Sequence, residues 1–313
     1  MLKEFKPIII IAGDSKSIFF EIFFKSLNFK KFKSPIILIC SLKLLKRQMK
    51  VFNFKKNIKV LNSNNLNEEK LNNTSINLIN IEEKNNNSLY IQKMFNVAIK
   101  LIKSGVSKKF INGPINKKFL KKKFPGITEF ISYKFGQKKN AMLIYNKSLS
   151  VCPITTHLPL KFVNKKISKK LIFEKAILIN KFYKDNFNFI PKIAVTGLNP
   201  HCETFDKLNE DKKIISPAIE ILKKKGLKIE GPFPADTIFL KQNRIKYNVI
   251  LGMYHDQVLS PFKALYEYDA INITLGLPFF RLSPDHGPNI KMINQNLSDP
   301  ISLIKTIEFL DRR

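Results

Sequence analysis

Nowhere in the 313 residues does an apolar run approach the roughly 20 residues that a membrane-spanning helix needs. The apolar start, Pro7 to Ala12, is halted at once by Gly13 and Asp14, so neither a span nor a signal peptide is expected. Cysteine is sparse. Cys40, Cys152 and Cys202 form an odd set with no CxxC spacing, which argues against a disulfide framework and suits a reducing cytoplasm. No GxGxxG follows any predicted strand, so an ordinary Rossmann dinucleotide site is unsupported and a cofactor site must be of another kind. Acidic residues are few, 24 against 55 lysines and arginines, leaving a formal charge of +31.

A charge of that size raises the question of nucleic acid, because lysine and arginine clusters neutralise phosphate backbones. Here the lysines are scattered along the whole chain and arginine is scarce, while Lys, Asn, Ile and Phe are abundant together, as an AT-rich coding sequence would produce. The charge therefore reads as a solvated surface with no nucleic-acid partner, and it favours attraction of small phosphorylated anions.

What is present is enough apolar material, 44%, for two α/β domains around a cleft. Short Ile- and Val-rich runs alternate with segments of helical period, the pattern of parallel strands covered by helices. Strands are predicted at Pro7 to Ala12, Pro35 to Cys40, Lys109 to Asn112, Lys192 to Thr196, Asn248 to Gly252 and Ala270 to Leu275. Ile91, Met94, Phe95, Ala98, Leu101 and Ile102 share one helical face, and Gly105 stands where a C-terminal cap belongs. Ser298, Asp299 and Pro300 announce the last helix. The Asn- and Glu-rich stretch from Asn62 to Ser88 reads as loops around one or two short elements.

Only four histidines occur, and their placement is informative. His157 lies in TTHLPL, His201 in GLNPH and His255 in MYHDQ, each just after a predicted strand. A single such histidine is more often a buried imidazole bonded to backbone. Three at matching strand exits point instead to one divalent ion, because carboxyl ends of parallel strands line the ligand crevice and three nitrogens leave a position open for substrate. Asp236 and Asp256 are carboxylates suited to orienting an imidazole or accepting a proton, with surface or capping roles as the alternative. Downstream, Lys263, Asn272 and Arg281 carry polar and cationic groups for a phosphate and a carboxylate. Arg281, after the apolar LGLPFF, is an odd place for a cation unless it faces an anion.

The series NGPINK, GITEF, TTHLPL, GLNPH, GPFPADTIF, MYHDQ and NITLGLPFFRLSPDHG, spanning Asn112 to Gly287, closely resembles the 4-hydroxythreonine-4-phosphate dehydrogenase family of vitamin B6 biosynthesis. The resemblance implies a two-domain α/β/α fold like that of isocitrate and isopropylmalate dehydrogenases. Residues 1–128 and 270–313 would form a discontinuous terminal domain and 129–269 a central one, in a homodimer with the site at the cleft and subunit interface. It implies a divalent metal on His157, His201 and His255, commonly zinc, with magnesium or cobalt as alternatives, and substrate contacts from Thr128, Lys263, Asn272 and Arg281. The reaction implied is transfer of a hydride from a secondary alcohol to NAD or NADP, followed by loss of carbon dioxide. His286, Gly287 and Lys291 would touch the cofactor, with Lys291 favouring a 2′-phosphate.

The chain departs from the family pattern at defined places. The glycine-rich first loop, usually GDPAGIGPE, reads Gly13 to Glu21 with Ser15, Lys16 and Ser17 in its middle, and Ile127 replaces a substrate-contacting histidine. Cys202 and Glu203 follow His201 where the family has alanine, glycine and glutamate, so that loop is one residue shorter. The usual TAxDxAG after Gly287 becomes Pro288 to Asn294. These changes leave open a sister dehydrogenase for a phosphothreonate or phosphoerythronate, or a relative that no longer turns over.

Overall fold

The structure, a computed structural model, describes residues 5–66, 69–83, 86–116, 120, 124, 126–203, 209–285 and 287–313. In chain order the strands are β1 (Ile8–Ile11), β2 (Ile36–Cys40), β3 (Ile58–Val60), β4 (Ile76–Asn80), β5 (Lys109–Asn112), β6 (Ala141–Tyr145), β7 (Ser150–Thr155), β8 (Ile193–Thr196), β9 (Ile229–Phe233), β10 (Val249–Tyr254), β11 (Ile271–Leu275) and β12 (Phe280–Pro284). Every strand predicted from the sequence is present, with ends shifted by a residue or two.

Two compact units emerge: residues 1–124, 268–271 and 278–313 make the first, and 125–267 with 272–277 the second. Strands of the first unit lie in the order β3-β4-β2-β1-β5-β12, all pairs parallel. The Ile8–Ile11 run shows no polar alternation because a parallel strand with helices on both faces is apolar throughout, and all four residues are buried. The helix Asn87–Lys103 buries the predicted face. It stops at Gly105, whose φ of +79° suits glycine, with the Gly105 N–H on Ile102 O and the Val106 N–H on Leu101 O.

The Asn-rich stretch is tied down by its own amides. Asn73 accepts from Ile36 N and donates to Phe32 O and Ser34 O, while Asn77 donates to Ile36 O and Asn72 O. These bonds fasten the approach to β4 onto β2. At the last helix, Ile301–Asp311, Asp299 Oδ1 caps Ile301 N at 2.7 Å. Ser298 does not cap it; its N–H donates to the buried Glu21 carboxylate at 2.5 Å.

The second unit orders its strands β11-β6-β7-β10-β8-β9, with β6 and β7 antiparallel. Its long helix Lys169–Phe187 begins at Ser168, whose hydroxyl accepts from Leu171 N, and ends at Asn188 in the left-handed region. All three cysteines are free, Cys40 and Cys152 buried and Cys202 half-buried. Among the described residues no helix is long and apolar enough to cross a membrane.

Candidate active site

Three of the four histidines belong to the second unit, and its topology explains their arrangement. Leu251 of β10 pairs with Cys152 of β7 on one side and Val195 of β8 on the other, both in parallel register. The three strands therefore end at one edge. His157 follows β7, His201 follows β8, and His255 opens the helix His255–Tyr266 directly after β10.

Side chains bind these exits together. Thr155 Oγ1 donates to Met253 O at 2.8 Å, linking the ends of β7 and β10. Gln257 links β10 to β8: its Oε1 accepts from Met253 N at 2.7 Å and Thr196 Oγ1 at 2.8 Å, and its Nε2 donates to Gly197 O at 2.7 Å. A Gln257→Leu variant leaves these partners without their bonds, so stability should fall by about 2–4 kcal/mol. Chemical denaturation measures that loss; an unchanged midpoint would show that water replaces the amide.

The His157 and His255 rings lie 6.1 Å apart between centroids, tilted by 37°. His255 Nδ1 sits 2.6 Å from Asp256 Oδ1, an exposed carboxylate, so Nδ1 is the engaged nitrogen of this ring. His201 is exposed on its own loop. Among the described residues no group of three or more His, Cys, Asp and Glu stands close enough to hold a metal ion, so His201 is not drawn into a closed triad with the pair.

Buried Asp211 shapes the His201 loop by accepting from Leu198 N at 2.8 Å, Asn199 N at 3.2 Å and Asn199 Nδ2 at 2.8 Å. Consecutive non-glycine residues, His201 and Cys202, carry φ of +54° and +61°. Such backbone costs on the order of 1–3 kcal/mol per residue. The shortened loop has no glycine to take that conformation. Burial, then Asp211, and further Asp236 and Glu203, push the Cys202 thiol up to about 11 against a lowering hydrogen bond from Gly197. Exposed Asp236 lies on the short helix Ala235–Ile238, which follows β9, and the Gly197 N–H on Phe233 O ties the end of β9 to the start of this loop.

On the other side of the pair, Gly126 faces His157. A Cβ there would lie 2.7 Å from Glu129 Oε2 and 2.8 Å from His157 Nδ1, so the glycine keeps open a cradle between carboxylate and ring. Buried Thr128, in the helix Ile127–Lys134, meets Thr274 hydroxyl to hydroxyl at 3.4 Å. Asn272 precedes Thr274 by two positions and so shares its face of β11. Asn272 Oδ1 and Glu129 Oε2 are buried without a hydrogen-bond partner. Lys263, half-buried in the helix after β10, has its ammonium 3.5 Å from Glu267 O.

Arg281 belongs to the first unit. It is buried on β12, and its Nε donates to Asn112 Oδ1 at 2.8 Å. Asn112 is itself held by donating to Gly113 O. Of the cofactor candidates, Gly287 and Lys291 are exposed, and His286 lies outside the described residues. The Ile18 N–H donates to Pro288 O, fastening this segment to the first loop. That loop also borders a cavity of about 760 Å³ whose lining includes Lys16, Lys43 and Arg47 along with Glu82 and Glu83.

The profile of the pyridoxal phosphate biosynthetic protein PdxA matches residues 31–310. The chain belongs to the PdxA family. A 4-hydroxythreonine-4-phosphate dehydrogenase from Sulfurihydrogenibium sp. (strain YO3AOP1) is 37% identical over 315 residues, covering 96% of this chain and 95% of that protein. The same enzyme from Aquifex aeolicus (strain VF5) is 41% identical over 63% of this chain and 62% of its own length. The crystal structure of the Klebsiella pneumoniae enzyme superposes with a TM-score of 0.83 at 27% identity, covering 99% of this chain and 98% of that one.

Membership of the PdxA family bears out the resemblance in the motifs and the α/β class, and makes the chain an oxidoreductase of pyridoxal phosphate biosynthesis. Sequence reading missed Gln257, Asp211, Thr274 and Glu129 as organisers of the site. Gln257, Glu129 and Thr274 do stand within the motifs MYHDQ, GITEF and NITLGLPFFRLSPDHG, two residues from His255, beside Thr128 and two residues from Asn272.

Proposed function

We propose that the chain oxidises 4-phosphooxy-L-threonine to 2-amino-3-oxo-4-phosphooxybutanoate, which decarboxylates to 3-amino-2-oxopropyl phosphate. NAD or NADP accepts the hydride. The observation that carries this reading is the His157–His255 pair at neighbouring parallel strand ends, next to Gly126, the N-cap of the helix that carries buried Thr128. Imidazole nitrogens fit zinc, and the cradle at Gly126 with its partnerless carboxylate oxygen suits a ring that is oriented for ligation. His157, His201 and His255 would hold a divalent metal, zinc in preference to magnesium or cobalt, and this ion supplies Lewis acidity that lowers the pKa of the substrate hydroxyl.

The protein's own groups do the rest. Asp256 fixes the His255 ring through Nδ1 and, with Asp236, is a candidate to accept the hydroxyl proton. Thr128 and Asn272 orient the substrate, the partnerless Asn272 Oδ1 accepting from its hydroxyl or amine. Lys263 and Arg281 anchor the phosphate and carboxylate, which holds the reacting carbon in place. The cations Lys16, Lys43 and Arg47 offer the cofactor diphosphate a site, and Lys291 with Gly287 meets its adenosine end, favouring NADP. The enzyme works as a cytoplasmic homodimer, with its site completed at the subunit interface.

Ile127 favours a second reading. An isoleucine in the first turn beside Thr128 offers no hydrogen bond to substrate, so a phosphothreonate or phosphoerythronate is the alternative substrate. Zinc-loaded protein assayed with this panel of acids, each with NAD and NADP, decides between them. Reduced cofactor should form fastest with 4-phosphooxy-L-threonine, and a chelator should stop it. Faster turnover of another acid would transfer the assignment to that substrate, and no reduced cofactor with any would overturn it.

A further inference from the structure

Glu129 is left unexplained by the roles above, although its position is unusual. One of its carboxylate oxygens, Oε2, is buried and has no hydrogen-bond partner, which is costly for a charged group. Among the described residues, a cationic neighbour that could have relieved it is occupied elsewhere. Lys175, buried in the helix Lys169–Phe187, is near enough to feel the Glu129 charge, yet its ammonium donates to the Asn140 carbonyl. Glu174 also acts on Lys175, so its charge is shared between two carboxylates.

An imidazole borders the same space as the partnerless oxygen. Glu129 Oε2 and His157 Nδ1 both lie within 2.8 Å of the point a Cβ on Gly126 would occupy. The backbone of Gly126 does not require glycine, since its φ of −161° is ordinary extended chain. Its missing side chain is explained by space: a methyl group would fill the gap between carboxylate and ring.

A histidine that binds a metal through Nε2 carries its proton on Nδ1, and a carboxylate accepting that proton fixes the ring and makes the ligating nitrogen more basic. We propose that Glu129 is the positioning residue for His157, its Oε2 accepting the Nδ1–H across the open face of Gly126 when His157 ligates the metal. Asp256 stands in the same relation to His255, also at Nδ1. The two carboxylates would then turn both rings of the pair with Nε2 towards a common ion. This inference rests on the metal assignment proposed above.

The test is zinc affinity, measured by competition with a chromophoric chelator on the full-length protein, together with the visible spectrum of the cobalt-substituted form. Glu129→Gln keeps the shape and removes the charge, so the zinc Kd should rise by about 10–100-fold. The cobalt absorption should shift, while the metal-free variant melts at or above the wild-type temperature because a partnerless buried carboxylate is gone. A purely structural role through Lys175 predicts the reverse, a lower melting temperature and an unchanged Kd, and that result would overturn the proposal. Gly126→Ala is the second variant: the inserted methyl should weaken zinc binding by a similar factor with Glu129 intact, and an unchanged Kd there also counts against the proposal. If wild-type protein takes up no zinc or cobalt, the metal assignment itself fails and takes this role with it. Should the wild type bind metal and Glu129→Gln bind it equally well, only the role of Glu129 is lost.

Discussion

Replacing His255 by alanine should remove bound zinc and lower kcat/KM by about 10³-fold or more, because the Lewis-acid contribution to the transition state is worth several kcal/mol and each 1.36 kcal/mol is tenfold in rate. His255 is half-exposed at the start of its helix, whereas the helix is anchored by buried Val258, Leu259 and Phe262. Truncating the ring therefore leaves the core intact. Metal content by mass spectrometry should drop from about one ion per chain, while the circular dichroism spectrum is unchanged. Wild-type zinc content together with wild-type turnover would show that the histidine pair has another purpose.

Arg281→Lys should raise KM for the phosphorylated substrate by about 100-fold, with a smaller fall in kcat, because lysine keeps the charge and loses the planar fork that matches phosphate or carboxylate. The residue is 3% exposed, and its Nε is oriented by Asn112 Oδ1, which in turn is fixed through Gly113 O. Lysine has no group at the Nε position to take up that bond. Steady-state kinetics separate the cases. A KM equal to wild type accompanied by a lower melting temperature would make Arg281 a structural cation of β12 and remove it from substrate binding.

How much of this was legible in the sequence depends on the range over which each residue acts. Strands such as Ile8–Ile11 and Ile36–Cys40 are written in their own composition, since β-branched runs buried on both faces need nothing distant to identify them. Gly105 announces a helix end for the same local reason, and the histidines could be placed because strand exits are recognisable one at a time. The organisers of the site are different. Gln257 matters because its amide reaches Thr196 and Gly197, contacts that exist only once β8 and β10 are neighbours, and Asp211 because it reaches back a dozen positions to Leu198 and Asn199. Glu129 was hidden by its setting, an acid in a helical first turn, where a favourable helix-dipole interaction is explanation enough. Arg281 was legible as an anomaly, a cation after an apolar run, but its amide partner Asn112 lies on another strand, and the motif NGPINK that it opens does not reveal the pairing.

Anomalous diffraction at the zinc absorption edge, from crystals of the metal-loaded protein, tests the central claim most directly. A single strong peak should appear at the shared edge of β7, β8 and β10, ligated by His157, His201 and His255, with the His201 loop drawn in to complete the set. A peak elsewhere, or zinc held without these imidazoles, would contradict the mechanism.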